Sequence, residues 1–185
     1  MGVGRITVFG SSRVTPGEAT YRDAMRLGRL LAQGGYTVCS GGYAGVMEAV
    51  SRGAAEAGGP VIGITVRAWA PRLQANPWVA TEVAAPHLFE RLMRLTESDA
   101  YIALEGGPGT LCEVALAWNL FQTESIPVRP LILVGSPWQH LIRCLETELR
   151  IEPRDLAFLQ FAASVEEVLP LLPSQPAGHS KRPPT

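Results

Sequence analysis

The residues best able to do chemistry gather in three glycine-rich turns: Gly10-Ser11-Ser12, Gly41-Gly42-Tyr43-Ala44-Gly45 and Gly106-Gly107-Pro108-Gly109-Thr110. Glycine lets backbone N–H groups come close to an anion, and a helix starting behind the turn adds the positive end of its dipole. A phosphate is the natural guest. The candidate contacts are Gly10, Ser11, Ser12, Gly41, Gly42, Gly45, Gly106, Gly107, Gly109 and Thr110. Any one of these turns can equally be a simple tight reversal. Three of them, each following a strand-like run, point to a phosphate-bearing ligand at the carboxyl edge of a sheet. No G-x-G-x-x-G joins a strand to a helix and no G-K-[ST] follows the glycines, so neither a dinucleotide fingerprint nor a P-loop is present.

Glu113 follows Thr110 by three residues. Thr110-Leu111-Cys112-Glu113 fits a helix-capping box, T-x-x-E. The same spacing also sets a carboxylate beside a phosphate loop, where a sugar could reach it. Arg91 and Arg94 stand three apart on the preceding helical stretch and share roughly one face. They are either a solvated or ion-paired face, or a source of charge for a phosphate or for Glu113. Cys112 adjoins Glu113, but no histidine lies nearby in sequence, so a small packed thiol is expected rather than a nucleophile. Trp69, Arg72 and Trp78 fall in an irregular stretch from Val66 to Trp78 that reads as an ordered loop or lid. Their rings either stack on a base or anchor the loop to the core.

Positioning these groups requires a regular scaffold, and the apolar periodicity supplies one. Strand-like runs at 6–9, 36–39, 61–65, 100–104 and 130–134, with a shorter one at 79–83, alternate with helical stretches at about 18–33, 45–57, 87–97, 110–122 and 138–148. A short apolar piece near Phe158 and a last helix near 165–171 follow. Strands alternating with amphipathic helices predict an α/β fold: a Rossmann-like, doubly wound parallel sheet in a single domain, residues 1–171. Residues 172–185 are rich in proline and poor in apolar side chains, and their composition predicts a disordered tail.

Composition narrows the function classes. Hydrophobic residues make up 46% of the 185 residues and charged residues 18%, enough for a packed core. The net charge of -1 gives no basic field to draw nucleic acid or a membrane surface. No apolar run reaches the length of a membrane span, and Met1–Phe9 lacks the pattern of a signal peptide. Cys39, Cys112 and Cys144 are widely spaced, as are His87, His140 and His179, so no metal-ligand motif is present. The expectation is a cytoplasmic protein with reduced thiols, no metal and no cofactor. Lys181 is the only lysine, and no lysine lies in the body of the chain to form a Schiff base with pyridoxal phosphate.

The run Ser98 to Glu113, with Gly106-Gly107-Pro108-Gly109-Thr110-Leu111-Cys112-Glu113 at its end, resembles the P-G-G-x-G-T-x-x-E signature of the Lonely Guy family, the cytokinin-activating phosphoribohydrolases once labelled lysine decarboxylases. The resemblance extends to Phe9–Ser12, Gly41–Val50 and Ala54–Ile64, and spans roughly residues 5–135. It implies a homodimer that cleaves the N-glycosidic bond of a nucleoside 5′-monophosphate, AMP or an N6-substituted AMP, to free base and ribose 5-phosphate. It implies Glu113 and Arg91 as the residues required for activity, with Arg94 as a competitor for the second role, and Gly106, Gly107, Gly109 and Thr110 as the phosphate loop. Three departures stand out. Glu105 replaces the motif proline, Cys112 a frequent acidic residue, and Glu48 the glycine of plant-like members. The added carboxylates are expected to change polarity near the site. Gly41–Ala49 also looks like relatives that bind a nucleotide or carry molybdenum cofactor, which is the alternative reading: a sensor or carrier on the same scaffold.

Overall fold

The computed structural model describes residues 4–70 and 72–173. Every strand is a short run of four to six residues closed by a glycine or polar turn, and each helix returns the chain to the same end of the sheet. In chain order the elements are β1 (Arg5–Phe9), α1 (Ala19–Gln33), β2 (Thr37–Ser40), α2 (Val46–Glu56), β3 (Val61–Val66), β4 (Thr81–Ala85), α3 (Leu88–Leu95), β5 (Ala100–Ala103), α4 (Pro108–Gln122), β6 (Leu131–Val134), α5 (Ser136–Glu148), α6 (Pro153–Leu156) and β7 (Leu159–Ala162). All seven strands are parallel, in the order β4-β3-β2-β1-β5-β6-β7. The α/β, Rossmann-like doubly wound sheet expected from the sequence is the fold observed. The strand order reverses direction between β1 and β5, and a parallel sheet opens a ligand crevice beyond the strand ends at such a point.

Alternation along the strands feeds two cores. Ile6, Val8, Val38, Ile102 and Ile132 pack under α1 and α2, while Phe9, Ile64, Tyr101, Leu131 and Leu133 pack under α3, α4 and α5. On the first face, α1 and α2 cross at glycines. A Cβ on Gly28 would fall 2.1 Å from the Val50 carbonyl oxygen, and one on Gly53 would fall 1.9 Å from that of Met25. No other residue lets these two backbones touch.

Several boundaries differ from the sequence expectation: β4 lies at Thr81–Ala85 rather than 79–83, and α5 starts at Ser136 rather than 138. α4 starts at Pro108 rather than Thr110, because proline is preorganised for the first helical position and has no N–H to leave unpaired. The apolar piece near Phe158 is a seventh strand, β7, too short and too exposed in its middle to show a period. The stretch 165–171 is two 3₁₀ turns, Val165–Glu167 and Leu169–Leu171, rather than one helix. Leu172 is buried in the first core, and the Pro173 carbonyl accepts a 2.8 Å hydrogen bond from the Tyr36 hydroxyl. The first two residues of the expected tail therefore belong to the packed body, and residues 174–185 lie outside the described residues. Among the described residues, no helix is long and apolar enough to cross a membrane.

Candidate functional site

Backbone hydrogen bonds tie the three glycine-rich turns into one edge. The Ser11 N–H donates to the Glu105 carbonyl at 3.0 Å, and the Val46 N–H donates to the Ser11 carbonyl at 2.8 Å. Gly45 permits this closeness. Its φ is +72°, and a Cβ there would sit 2.3 Å from the Ser11 carbonyl oxygen. In the third turn Gly106 leaves room for the Thr110 hydroxyl, which would lie 2.1 Å from a Cβ at 106. Gly107 and Gly109 face open space. Their backbone is uncovered at the N-terminus of a 15-residue helix, the arrangement suited to an anion.

The capping box is not formed. Gly107 is the N-cap and makes no side-chain cap bond, so Thr110 lies inside the helix and Glu113 a turn deeper. Glu113 instead meets Arg91: Nη1 donates to Oε1 at 3.3 Å, with the side chains only 7% and 12% exposed. Arg91 is fixed on every side. Its Nε donates to the Ile64 carbonyl at 2.9 Å, its guanidinium lies 5.8 Å from each of the Tyr43 and Trp69 ring centres, and Nη2 approaches the Met47 sulfur at 3.9 Å. Gly41 passes directly beneath it, where a Cβ would come within 1.8 Å of Nη2. Burial pushes the Glu113 carboxyl up to about 7, and the pull of Arg91 in the opposite direction does not cancel that. Arg94 turns away and pairs with Glu90 at 2.9 Å on the half-exposed side of α3.

Between these groups lies a cleft of about 650 Å³, at the point where the strand order reverses. Gly10, Ser11, Ser12, Gly106, Gly107, Gly109 and Thr110 line it, together with Arg91 and Glu113. Gly41, Gly42 and Gly45 do not. They act one layer back, Gly41 under Arg91, Gly45 against Ser11, and Gly42 (φ +77°) by presenting its carbonyl to the Asn76 N–H at 2.8 Å. Asn76 thereby pins the loop before β4 to the second turn, and its Nδ2 also donates to the Tyr43 carbonyl at 3.0 Å. Trp69 lines the cleft, whereas Trp78 lies under Arg52 at 5.4 Å and Arg72 is exposed off the wall. Of the three departures, Glu105 lines the cleft and Cys112 is exposed. Glu48 accepts from the Tyr21 hydroxyl at 3.4 Å and is not among the residues lining the cleft. The wall also holds Tyr43, Met47 and Arg13, which the sequence reading did not single out. Tyr43 was the one side chain larger than a methyl inside the second glycine turn, and that was its available signal.

An uncovered helix N-terminus suits an anion, and in the same cleft a carboxyl raised to about 7 is suited to stabilising positive charge or moving a proton. Known proteins similar to this chain fall in one family and share its fold. Residues 4–126 match the model of the SLOG cluster4 family. An uncharacterized protein of Archaeoglobus fulgidus is 38% identical over 139 residues, 72% of this chain and 90% of its own. The cytokinin riboside 5′-monophosphate phosphoribohydrolase LOG1 of Arabidopsis thaliana is 29% identical over 186 residues, 96% of this chain and 86% of its own. Among solved structures, the molybdenum cofactor binding protein from the phototrophic bacterium Rippkaea orientalis superposes with a TM-score of 0.75 at 27% identity, covering 92% of this chain and 96% of that one. The chain belongs to the SLOG cluster4 family, of the Lonely Guy (LOG) type.

Proposed function

We propose that the protein hydrolyses the N-glycosidic bond of a nucleoside 5′-monophosphate, AMP or an N6-substituted AMP, releasing the base and ribose 5-phosphate. The observation that carries this reading is the buried Arg91–Glu113 pair on the wall of a cleft that also holds an uncovered glycine helix end. Gly109 and Glu113 are four residues apart on α4, about 6 Å along the axis, the scale of a ribose with its 5′ carbon. A phosphate held at the loop would bring C1′ near the carboxylate. As the bond to the base breaks, its electron pair leaves with the base and positive charge builds on the ribose. Glu113 stabilises that charge and accepts a proton from the attacking water, which passes on to the departing base. Arg91 keeps the carboxylate oriented. Incubation with AMP, read as adenine released, tests the proposal, and binding without release over hours would remove it.

Glu113 serves in this scheme as its carboxylate. With the carboxyl pushed up to about 7, turnover is expected to rise from pH 5.5 to 8 with an inflection near 7. A flat profile across that range would exclude Glu113 as the titrating base.

The reading includes a second copy of the chain. Leu88, Phe89 and Met93 on α3 are 43%, 77% and 45% exposed, and Leu111 on α4 is 42% exposed. Large exposed apolar groups on the two helices that carry Arg91 and Glu113 favour an interface. Light scattering at micromolar concentration is expected to give a dimer mass, and Phe89→Glu a monomer. A monomeric wild type would count against it.

A carrier or sensor role is the second reading, favoured by the cleft volume of about 650 Å³ and by the likeness to the molybdenum cofactor binding protein. A phosphate-terminated cofactor would dock on the same helix end. Wild-type protein that retains such a ligand and leaves AMP intact would establish it over the hydrolase.

A further inference from the structure

The cleft wall carries two guanidinium groups, Arg13 and Arg91, and two carboxylates, Glu105 and Glu113. Arg91 and Glu113 are spent on one another at 3.3 Å. Glu105 is exposed immediately before the glycines of the third turn, so a bare negative charge stands beside the place proposed for an anion. Arg13 forms no ion pair among the described residues. Its N–H donates to the Ser11 hydroxyl at 3.1 Å, and Ser11 is in turn bonded to the Glu105 carbonyl. The backbone of Arg13 is therefore held beside the phosphate turn while its side chain remains uncommitted on the wall.

We propose that Arg13 is a substrate-binding residue that grips the terminal phosphate of the ligand opposite the α4 helix end and offsets Glu105. The inference rests on the phosphate-binding reading of the cleft. A guanidinium can make paired hydrogen bonds to two phosphate oxygens, which suits an unesterified, dianionic phosphate better than a diester. Arg13 then selects for a monophosphate and has no part in breaking the glycosidic bond.

Calorimetric titration of AMP and of ribose 5-phosphate into the full-length protein tests this. Arg13→Ala is expected to weaken both ligands by about 10-fold to 30-fold, the scale of a lost charge-assisted hydrogen bond. The double variant Arg13→Ala/Glu105→Gln should recover part of the loss, because the uncompensated carboxylate is gone. Arg143→Ala, which removes the same charge from the exposed side of α5, should change neither Kd by more than about twofold, as expected for a screened distant charge. Arg13 is exposed, so melting temperatures should match the wild type. Unchanged binding in Arg13→Ala, or an equal loss in Arg143→Ala, overturns the assignment. Arg13-dependent binding of ribose 5-phosphate without any adenine release from AMP removes the hydrolase reading and leaves Arg13 standing. A wild type that binds neither probe removes both.

Discussion

Glu113→Gln is expected to lower AMP turnover by about 10² or more, the scale seen when a positioned catalytic group is removed. The substitution keeps shape and hydrogen-bonding reach and deletes the charge. No helix cap is disturbed, because Gly107 rather than Thr110 caps α4. At neutral pH the variant should be at least as stable as the wild type, since burial makes the ionised carboxylate costly. The pH dependence gives a second reading of the same group. The carboxyl of Glu113 is raised from 4.5 to about 7 in the folded protein. A raised folded-state value means that the native state binds the proton more tightly, so its contribution is full below pH 4.5 and is lost as pH rises through 7. The wild type should therefore lose melting temperature relative to Glu113→Gln across that window, and the difference should level off above it. A variant with near wild-type turnover would reduce the Arg91–Glu113 pair to a structural ion pair.

Gly53→Ala should cost about 2–3 kcal/mol, in the range of overpacking a close contact. The added methyl would lie 1.9 Å from the Met25 carbonyl oxygen and 2.7 Å from its carbon, so backbone rather than a flexible side chain must yield. Alanine favours a helix over glycine by about 1 kcal/mol, which offsets only part of the strain. For a chain of this size the melting temperature should drop by about 5–10 °C. Gly28→Ala should behave alike, and the two together should couple, because both wedge the same pair of helices apart. An unfolding curve for Gly53→Ala at or above the wild type would show that α1 and α2 can slide without loss.

The sheet was legible because its strands are apolar runs separated by helices of regular period, and parallel pairing follows from that alternation. The glycine turns were legible for the same reason, since they end those runs. What periodicity could not separate was Arg91 from Arg94. Three residues apart on a helix, they differ by only about 60° in direction. The choice depends on where α3 lands against β3, whose Ile64 carbonyl captures Arg91. The capping box failed for a local reason: Pro108 starts α4 before Thr110 can cap it. In the second turn Gly41, Gly42 and Gly45, expected as phosphate contacts, are not among the residues lining the cleft, and at each another part of the protein occupies the space of a side chain or the backbone has positive φ. Glycine in a motif records closeness, and sequence does not say whether the close neighbour is a ligand or the protein itself.

The position of Trp69 has a practical consequence. The chain has four tryptophans, and Trp69 alone among them lines the cleft, its ring 5.7 Å from Tyr43 and 5.8 Å from the Arg91 guanidinium. Trp138 is buried in the second core, Trp118 donates to the Asp155 carbonyl on α6, and Trp78 sits under Arg52. Indole emission responds to the polarity and charge around the ring. Three of the four emitters thus stand off the cleft wall, and the fourth stands against its charged pair. The protein carries its own optical gauge of occupancy, with Trp69→Phe as the blank that isolates it.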